Sequence, residues 1–161
     1  MGSLYAGSEV LQMAVEIERK GKAFYDGVVQ AMGNEKVKSI FQYLSDEEVK
    51  HEKTFKQMLN KLETNPPESP YDDMEMIIYF RSLIDRKIFP SENEGSDMKN
   101  VLADPKAAIR IALSLEKDAV LFFNEMLQIT NEKDHSVVQA IIEEEREHIK
   151  RILKLKDELK V

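Results

Sequence analysis

The sequence contains no cysteine, which removes disulfides, thiolate zinc sites, iron–sulfur clusters and thiol catalysis together. It also lacks any apolar run approaching the roughly 20 residues of a bilayer span, and no signal-peptide-like apolar core opens it. Positive charge is in deficit: 23 Lys and Arg stand against 30 Asp and Glu, for a net charge of −7. No global basic field therefore invites nucleic acid or anionic lipid. The expectation is a soluble, cytoplasmic chain with neither nucleic acid nor membrane among its partners. Its 161 residues suffice for one domain, 1–161, with a sizeable core, and are too few for two comfortable ones. Met1, Gly2 and Ser3 carry no structural weight in this reading. Histidine is scarce as well, with three in all.

What the chain does have is helical periodicity in four long segments. Ser8 is placed to N-cap the first, whose apolar stripe runs Leu11, Ala14/Val15, Glu18, Lys22, Tyr25, Val28/Val29 and Met32, ending at Gly33-Asn34. The second covers about 35–63, with Val37, Phe41, Leu44, Glu48, His51, Phe55, Met58 and Leu62 alternating by three and four, and Asn65-Pro66-Pro67 stops it. Asp104-Pro105 supplies an N-cap followed by proline at the first helical position of the third. Its stripe is Ile109, Ala112/Leu113, Glu116, Ala119/Val120, Phe123 and Met126/Leu127. The fourth starts near Asp134 and carries Val138, Ile141, Glu145, His148, Ile152, Leu155 and Leu159. Between the second and third lies 64–103, with a shorter helical candidate at 71–88 and a Gly/Ser/Asn/Glu-rich loop at 90–100. Short turns within each half and a long connection between halves predict two antiparallel hairpins joined by a crossover. The predicted fold is all-α: a four-helix bundle made of a duplicated hairpin.

Two of the three histidines close the same phrase, Glu48-Val49-Lys50-His51 and Glu145-Arg146-Glu147-His148. Each phrase has a lone stripe glutamate upstream, Glu18 at 30 residues before Glu48 and Glu116 at 29 before Glu145. Midway between Glu18 and Glu48 is position 33, the first turn. Midway between Glu116 and Glu145 is Thr130-Asn131, the second. At about 1.5 Å rise per residue, all four glutamates fall at one level, roughly 21 Å from each turn. Residues i and i+3 share a helix face, so each Glu and His of a phrase can approach one ion. Glutamate is common, 20 of 161, so one Glu-x-x-His arises by chance about one time in eight per histidine. Two, each on a stripe with a level-spaced partner, form a much rarer pattern. Four carboxylates balance two divalent cations, and without metal such packed like charges raise carboxylate pKa values. Carboxylate-rich sites with one imidazole per ion suit iron or manganese, and zinc can occupy them.

Two glutamates plus two Glu-x-x-His phrases are the ferritin-like di-metal pattern, and the chain resembles that superfamily, most closely its rubrerythrin group, over about 120 residues of the four helices. The resemblance implies a ferritin-like bundle with two iron ions. Glu48 and Glu145 would bridge them, Glu18 and Glu116 would be terminal ligands, and His51 and His148 would each hold one ion. It implies also that Glu47 and Glu144 orient the histidines across the bundle, a carboxylate on the free imidazole N–H fixing its tautomer; a solvated helix face is the alternative. Tyr25 matches the family's site-adjacent tyrosine, able to hydrogen-bond a ligand carboxylate, or it is a plain core aromatic. Its counterpart in the second half is Phe123. His135, near a helix start, is expected at the surface. Rubrerythrins usually add a glutamate one turn after the third-helix ligand, and this chain has Ala119 there. Val49 occupies the place of the bacterioferritin haem methionine, so no haem is expected. With no cysteine there is no rubredoxin-type Fe(Cys)₄ centre.

The function implied is that of a non-haem di-iron oxidoreductase, consuming peroxide or dioxygen with electrons from a separate donor protein. The alternatives are ferroxidation and storage in a shell, oxygenation of an organic substrate in an apolar cavity beside the metals, and a structural or regulatory metal site. A homodimer is expected. Ile77, Ile78, Tyr79 and Phe80 offer an interface or lid, or simply cover one end of the bundle.

Overall fold

The computed structural model describes residues 6–64, 74–85 and 95–161. Six α-helices follow in order: α1 (Ala6–Ala31), α2 (Glu35–Thr64), α3 (Met74–Ile84), α4 (Gly95–Ala103), α5 (Pro105–Leu127) and α6 (His135–Leu159). No strand occurs among the described residues. The helices α1 and α2 pack as one hairpin and α5 and α6 as the other, with α1 against α5 and α2 against α6 closing the bundle. The crossover helices α3 and α4 both lie on α1 and α5. No helix among the described residues is long and apolar enough to cross a membrane.

Periodicity explains the helix faces. In α2 the buried residues are Val37, Phe41, Leu44, Ser45, Glu48, His51, Phe55 and Met58, which is the predicted stripe with Ser45 added and Leu62 only partly buried. The same three-four alternation buries Val138, Ile141, Glu145, His148, Ile152 and Leu155 in α6. Caps set the starts. The Asn34 side chain accepts from the backbone N–H groups of Lys36 and Val37 at 3.0 and 3.1 Å, and Asp104 accepts from that of Lys106 at 3.3 Å. No described glycine has a positive φ, so the first turn relies on the Asn34 cap rather than on left-handed freedom at Gly33.

The apolar core is two clusters. One joins the start of α1 and the end of α2 to the end of α5 and the start of α6, through Val10, Met13, Phe55, Met58, Phe122, Met126, Val138 and Ile141. The other joins the opposite ends, through Val28, Met32, Val37, Phe41, Ile109, Ala112, Ile152 and Leu155. Adjacent helices are therefore antiparallel. Each fully buried aliphatic or aromatic side chain contributes roughly 1.5–3 kcal/mol of transfer free energy. Between the clusters lies a layer of buried charge.

Four local expectations are corrected. Helix α1 already begins at Ala6, so Ser8 lies inside its first turn, buried rather than at the cap. The loop expected over 90–100 is helical from 95 onward, which gives the crossover two helices instead of one. Here tertiary packing overrides local propensity: Leu102 of α4 seats against Gly27 of α1, where an added Cβ would meet Leu102 Cδ1 at 3.2 Å. The predicted 71–88 helix spans Met74–Ile84; 71–73 and 86–88, with Asn65-Pro66-Pro67 and 90–94, lie outside the described residues. His135 is half-buried, its Nε2 2.9 Å from the Thr130 carbonyl oxygen that closes the turn before α6. Of the α3 residues, Phe80 is buried against Phe122 at 5.2 Å between ring centroids, while Ile78 and Tyr79 face outward.

Candidate metal centre

Each long helix contributes one or two residues to the charged layer: Glu18 from α1, Glu48 and His51 from α2, Glu116 from α5, Glu145 and His148 from α6. All six are at most 4% exposed. Helical spacing puts them there. Glu48 sits between Leu44 and His51 on the α2 stripe, and Glu145 between Ile141 and His148 on that of α6. A charge on a core stripe is costly unless compensated, so the layer demands a partner.

The six residues form two overlapping groups. One is Glu18, Glu48, His51 and Glu145; the other is Glu48, Glu116, Glu145 and His148. In each, one donor atom per residue lies within 4.8 Å of the others, and Glu48 and Glu145 belong to both. His51 turns Nδ1 inward, 2.7 Å from Glu145 Oε1 and 3.6 Å from Glu18 Oε2. His148 does the same, with Nδ1 3.2 Å from Glu145 Oε2 and 3.4 Å from Glu116 Oε2. The two imidazole rings stack at 5.7 Å.

Electrostatics report the strain of this arrangement. Burial, then the neighbouring carboxylates, holds Glu48 well above the carboxylate range. Glu18 is likewise held high by burial and by Glu145 and Glu116, against a lowering contact with Glu48. Burial and Glu145 push Glu116 up to about 8, His148 partly offsetting them. Glu145 goes the other way: burial opposes its charge, but contacts with Glu116, His148 and His51 outweigh it and hold the group low. Burial alone would lower both imidazoles, yet the surrounding carboxylates raise His51 to about 9 and His148 to about 10. Without a cation, burial and mutual repulsion hold Glu18, Glu48 and Glu116 toward their protonated forms, while the carboxylates hold both imidazoles toward imidazolium and Glu145 is held toward its charged form. Divalent cations would take the place of those protons.

A second ring of contacts distinguishes the halves. The His51 Nε2–H donates to Glu144 Oε2 at 2.6 Å, across the α2/α6 seam. Glu47 instead accepts from Lys50 at 2.5 Å, although its carboxylate also lies within 4.8 Å of donor atoms of His51 and Glu144. The Tyr25 hydroxyl donates to Glu116 Oε1 at 2.5 Å, crossing from one hairpin to the other. Burial, with Glu116 and Glu48, holds its phenol well above the usual range, so it stays a donor. Phe123, the counterpart of Tyr25, is fully buried in the apolar cluster against Phe55.

Three features escaped sequence reasoning. A cavity of about 40 Å³ reaches the layer between α1, α3 and α5, lined by Gly21, Tyr25, Glu48, Leu83, Glu116 and Ala119 among others. Gly21 stands against Glu48, whose Cδ would lie 3.3 Å from an added Cβ. A glycine in a helix interior, three residues after Glu18, is the signal that marks such a close approach. Ala119, three after Glu116, is its repeat in the second half and the position where the resemblance calls for a further glutamate. The third feature is Tyr43, edge-on to His148 at 5.9 Å, with the Arg151 guanidinium 4.5 Å above the Tyr43 ring. Nothing in the spacing of Tyr43 or Arg151 marks that contact.

The donors themselves test whether a metal pair fits. Both oxygens of Glu18 and Glu116 Oε2 are buried without a hydrogen-bond partner among the described residues, and His51 Nδ1 and Glu145 Oε1 meet only as an ion pair at 2.7 Å without hydrogen-bond geometry. An unsatisfied buried polar atom costs about 1–3 kcal/mol, and these atoms belong to the two overlapping groups. Oxygen donors with one imidazole per group match the preferences of iron and manganese. The residues fit the group.

A family model described as rubrerythrin matches residues 9–156. No curated protein matches in sequence. Among solved structures, a crystal structure described as that of a ferritin-like diiron-carboxylate protein from Thermotoga maritima superposes with a TM-score of 0.69, at 22% identity, covering 98% of each chain. That likeness shows a ferritin-like fold.

Proposed function

The chain belongs to the rubrerythrin family, and from that membership and the cluster geometry we propose that it is a non-haem di-iron oxidoreductase reducing peroxide or oxygen. The observation that carries this reading is the pair of overlapping donor groups sharing Glu48 and Glu145. In it, Glu18, Glu48 and His51 with Glu145 would hold one iron, and Glu116, Glu145 and His148 with Glu48 would hold the other. When bound, a pair of Fe(II) ions supplies two electrons together, enough to take hydrogen peroxide and two protons to two molecules of water.

The chain's own residues do the rest. The Glu144 carboxylate holds the His51 ring with Nδ1 inward. Tyr25 fixes one oxygen of Glu116 and leaves the other facing His148. Leu83, Ile84, Leu115 and Ile17 line the cavity and restrict water around the site. At about 40 Å³ the cavity has room for small molecules such as water, peroxide or dioxygen to reach the Glu116 side of the layer. The reading takes its reducing equivalents from a separate donor protein, these 161 residues holding no cysteine for a thiolate-bound iron centre. The test is anaerobic loading with Fe(II), metal analysis, and optical spectra on adding H₂O₂ or O₂. Two irons per chain that oxidise within the mixing time support the proposal; loaded protein inert to both oxidants ends it.

A further inference from the structure

The duplicated sequence predicts the same set of three ligands in each half, but the contacts around them are not equivalent. His51 donates its outer Nε2–H to Glu144, whereas the outer Nε2 of His148 is buried without a hydrogen-bond partner among the described residues. A carboxylate on the outer nitrogen fixes the tautomer and makes the inner nitrogen a stronger donor, an effect worth about 10- to 100-fold in metal affinity. The terminal carboxylates differ in the same sense. Neither oxygen of Glu18 has a hydrogen-bond partner among the described residues, while Glu116 has Oε1 committed to the Tyr25 hydroxyl. A hydrogen bond received by a carboxylate draws charge from it and leaves one oxygen free instead of two.

Surroundings add to the difference. On the outer side of His51 stand the acids Glu144 and Glu47. Beside His148 stands, among the described residues, no such acid but the Tyr43 ring, edge-on at 5.9 Å and capped by the Arg151 guanidinium. The cavity is lined by Glu116, Glu48 and Tyr25 and by neither Glu18 nor His51, so small ligands and water meet the Glu116 side.

We propose that the two metal positions are unequal: the one bounded by Glu18 and His51 binds the first divalent cation, and the one bounded by Glu116 and His148 binds the second more weakly and exchanges it faster. Glu144 is then a positioning residue for the first position and Tyr25 an attenuator of the second. The inference rests on the two-metal reading of the cluster but needs no redox chemistry.

The test is calorimetric and optical titration of the metal-free full chain with Co(II) under anaerobic conditions. Two steps are expected, the first about tenfold or more tighter. Glu144→Gln, at a half-exposed side chain, should weaken the first step by about 10- to 100-fold and leave the second nearly unchanged. Glu144→Asp should restore part of the loss, which a merely structural role would not produce. Tyr25→Phe should tighten the second step alone. Two equal steps, or a Glu144→Gln effect confined to the second, overturn the inequality while leaving a two-metal site. Saturation below two ions per chain overturns the two-metal reading with it.

Discussion

Replacing Glu116 with glutamine is expected to stabilise the metal-free protein by an amount that grows with pH. Glu116 is fully buried and pushed up to about 8 from its ordinary 4.5, chiefly by burial. Between those two values the folded chain holds a proton that the unfolded chain has released. Stability is therefore full below about 4.5 and is lost as pH rises through about 8, at about 1.4 kcal/mol per pH unit. At pH 7 the deficit is about 3 kcal/mol, and at pH 5 it is under about 1 kcal/mol. Glutamine is close to isosteric, does not titrate, and keeps an amide oxygen to accept from Tyr25. For a domain of this size each kcal/mol moves Tm by about 2–4 °C, so a gain of about 6–12 °C at pH 7 is the upper bound. Thermal melts of chelator-treated protein at pH 5 and pH 7, followed by circular dichroism, would read it. A gain equal at both pH values, or a loss at pH 7, would refute the reasoning. With metal present the sign should reverse, because the variant lacks a ligand carboxylate.

Glu48→Ala removes a carboxylate common to both donor groups, and elemental analysis should find that two metals per chain no longer bind. Ala119→Leu projects into the cavity, and stopped-flow oxidation of the Fe(II)-loaded variant by peroxide should slow by about tenfold or more while metal content stays at two; an unchanged rate would mean that the oxidant enters elsewhere. Phe80→Ala empties a buried position against Phe122, and urea unfolding should register a loss of about 3 kcal/mol with metal stoichiometry intact.

Much of the bundle was legible because a 3.6-residue period repeats locally. The α2 stripe from Val37 to Met58 needs no knowledge of α6 to be seen, since its apolar residues recur by three and four whatever covers them. The burial of Glu18, Glu48, His51, Glu116, Glu145 and His148 followed from the same logic. A residue on a core stripe at a fixed distance from a turn has one level it can occupy. The crossover was less legible. The part of the 90–100 stretch from Gly95 onward reads as loop by composition, yet belongs to the helix Gly95–Ala103, whose Leu102 finds the notch that Gly27 leaves in α1.

By itself, then, the sequence determined the four long helices, how they pair into hairpins, and that the six glutamates and histidines of the charged layer face inward, because those features depend on spacing along one or two helices. Only the tertiary structure decided how the two halves differ. Glu47 and Glu144 hold matching places in the repeat, yet one accepts from Lys50 on its own helix and the other from His51 across the seam. Tyr25 reaches the glutamate of the opposite hairpin, and Gly21 and Ala119 line a cavity with residues of the crossover. Such contacts depend on how far apart and at what angle helices pack, and side chains distant in sequence set both.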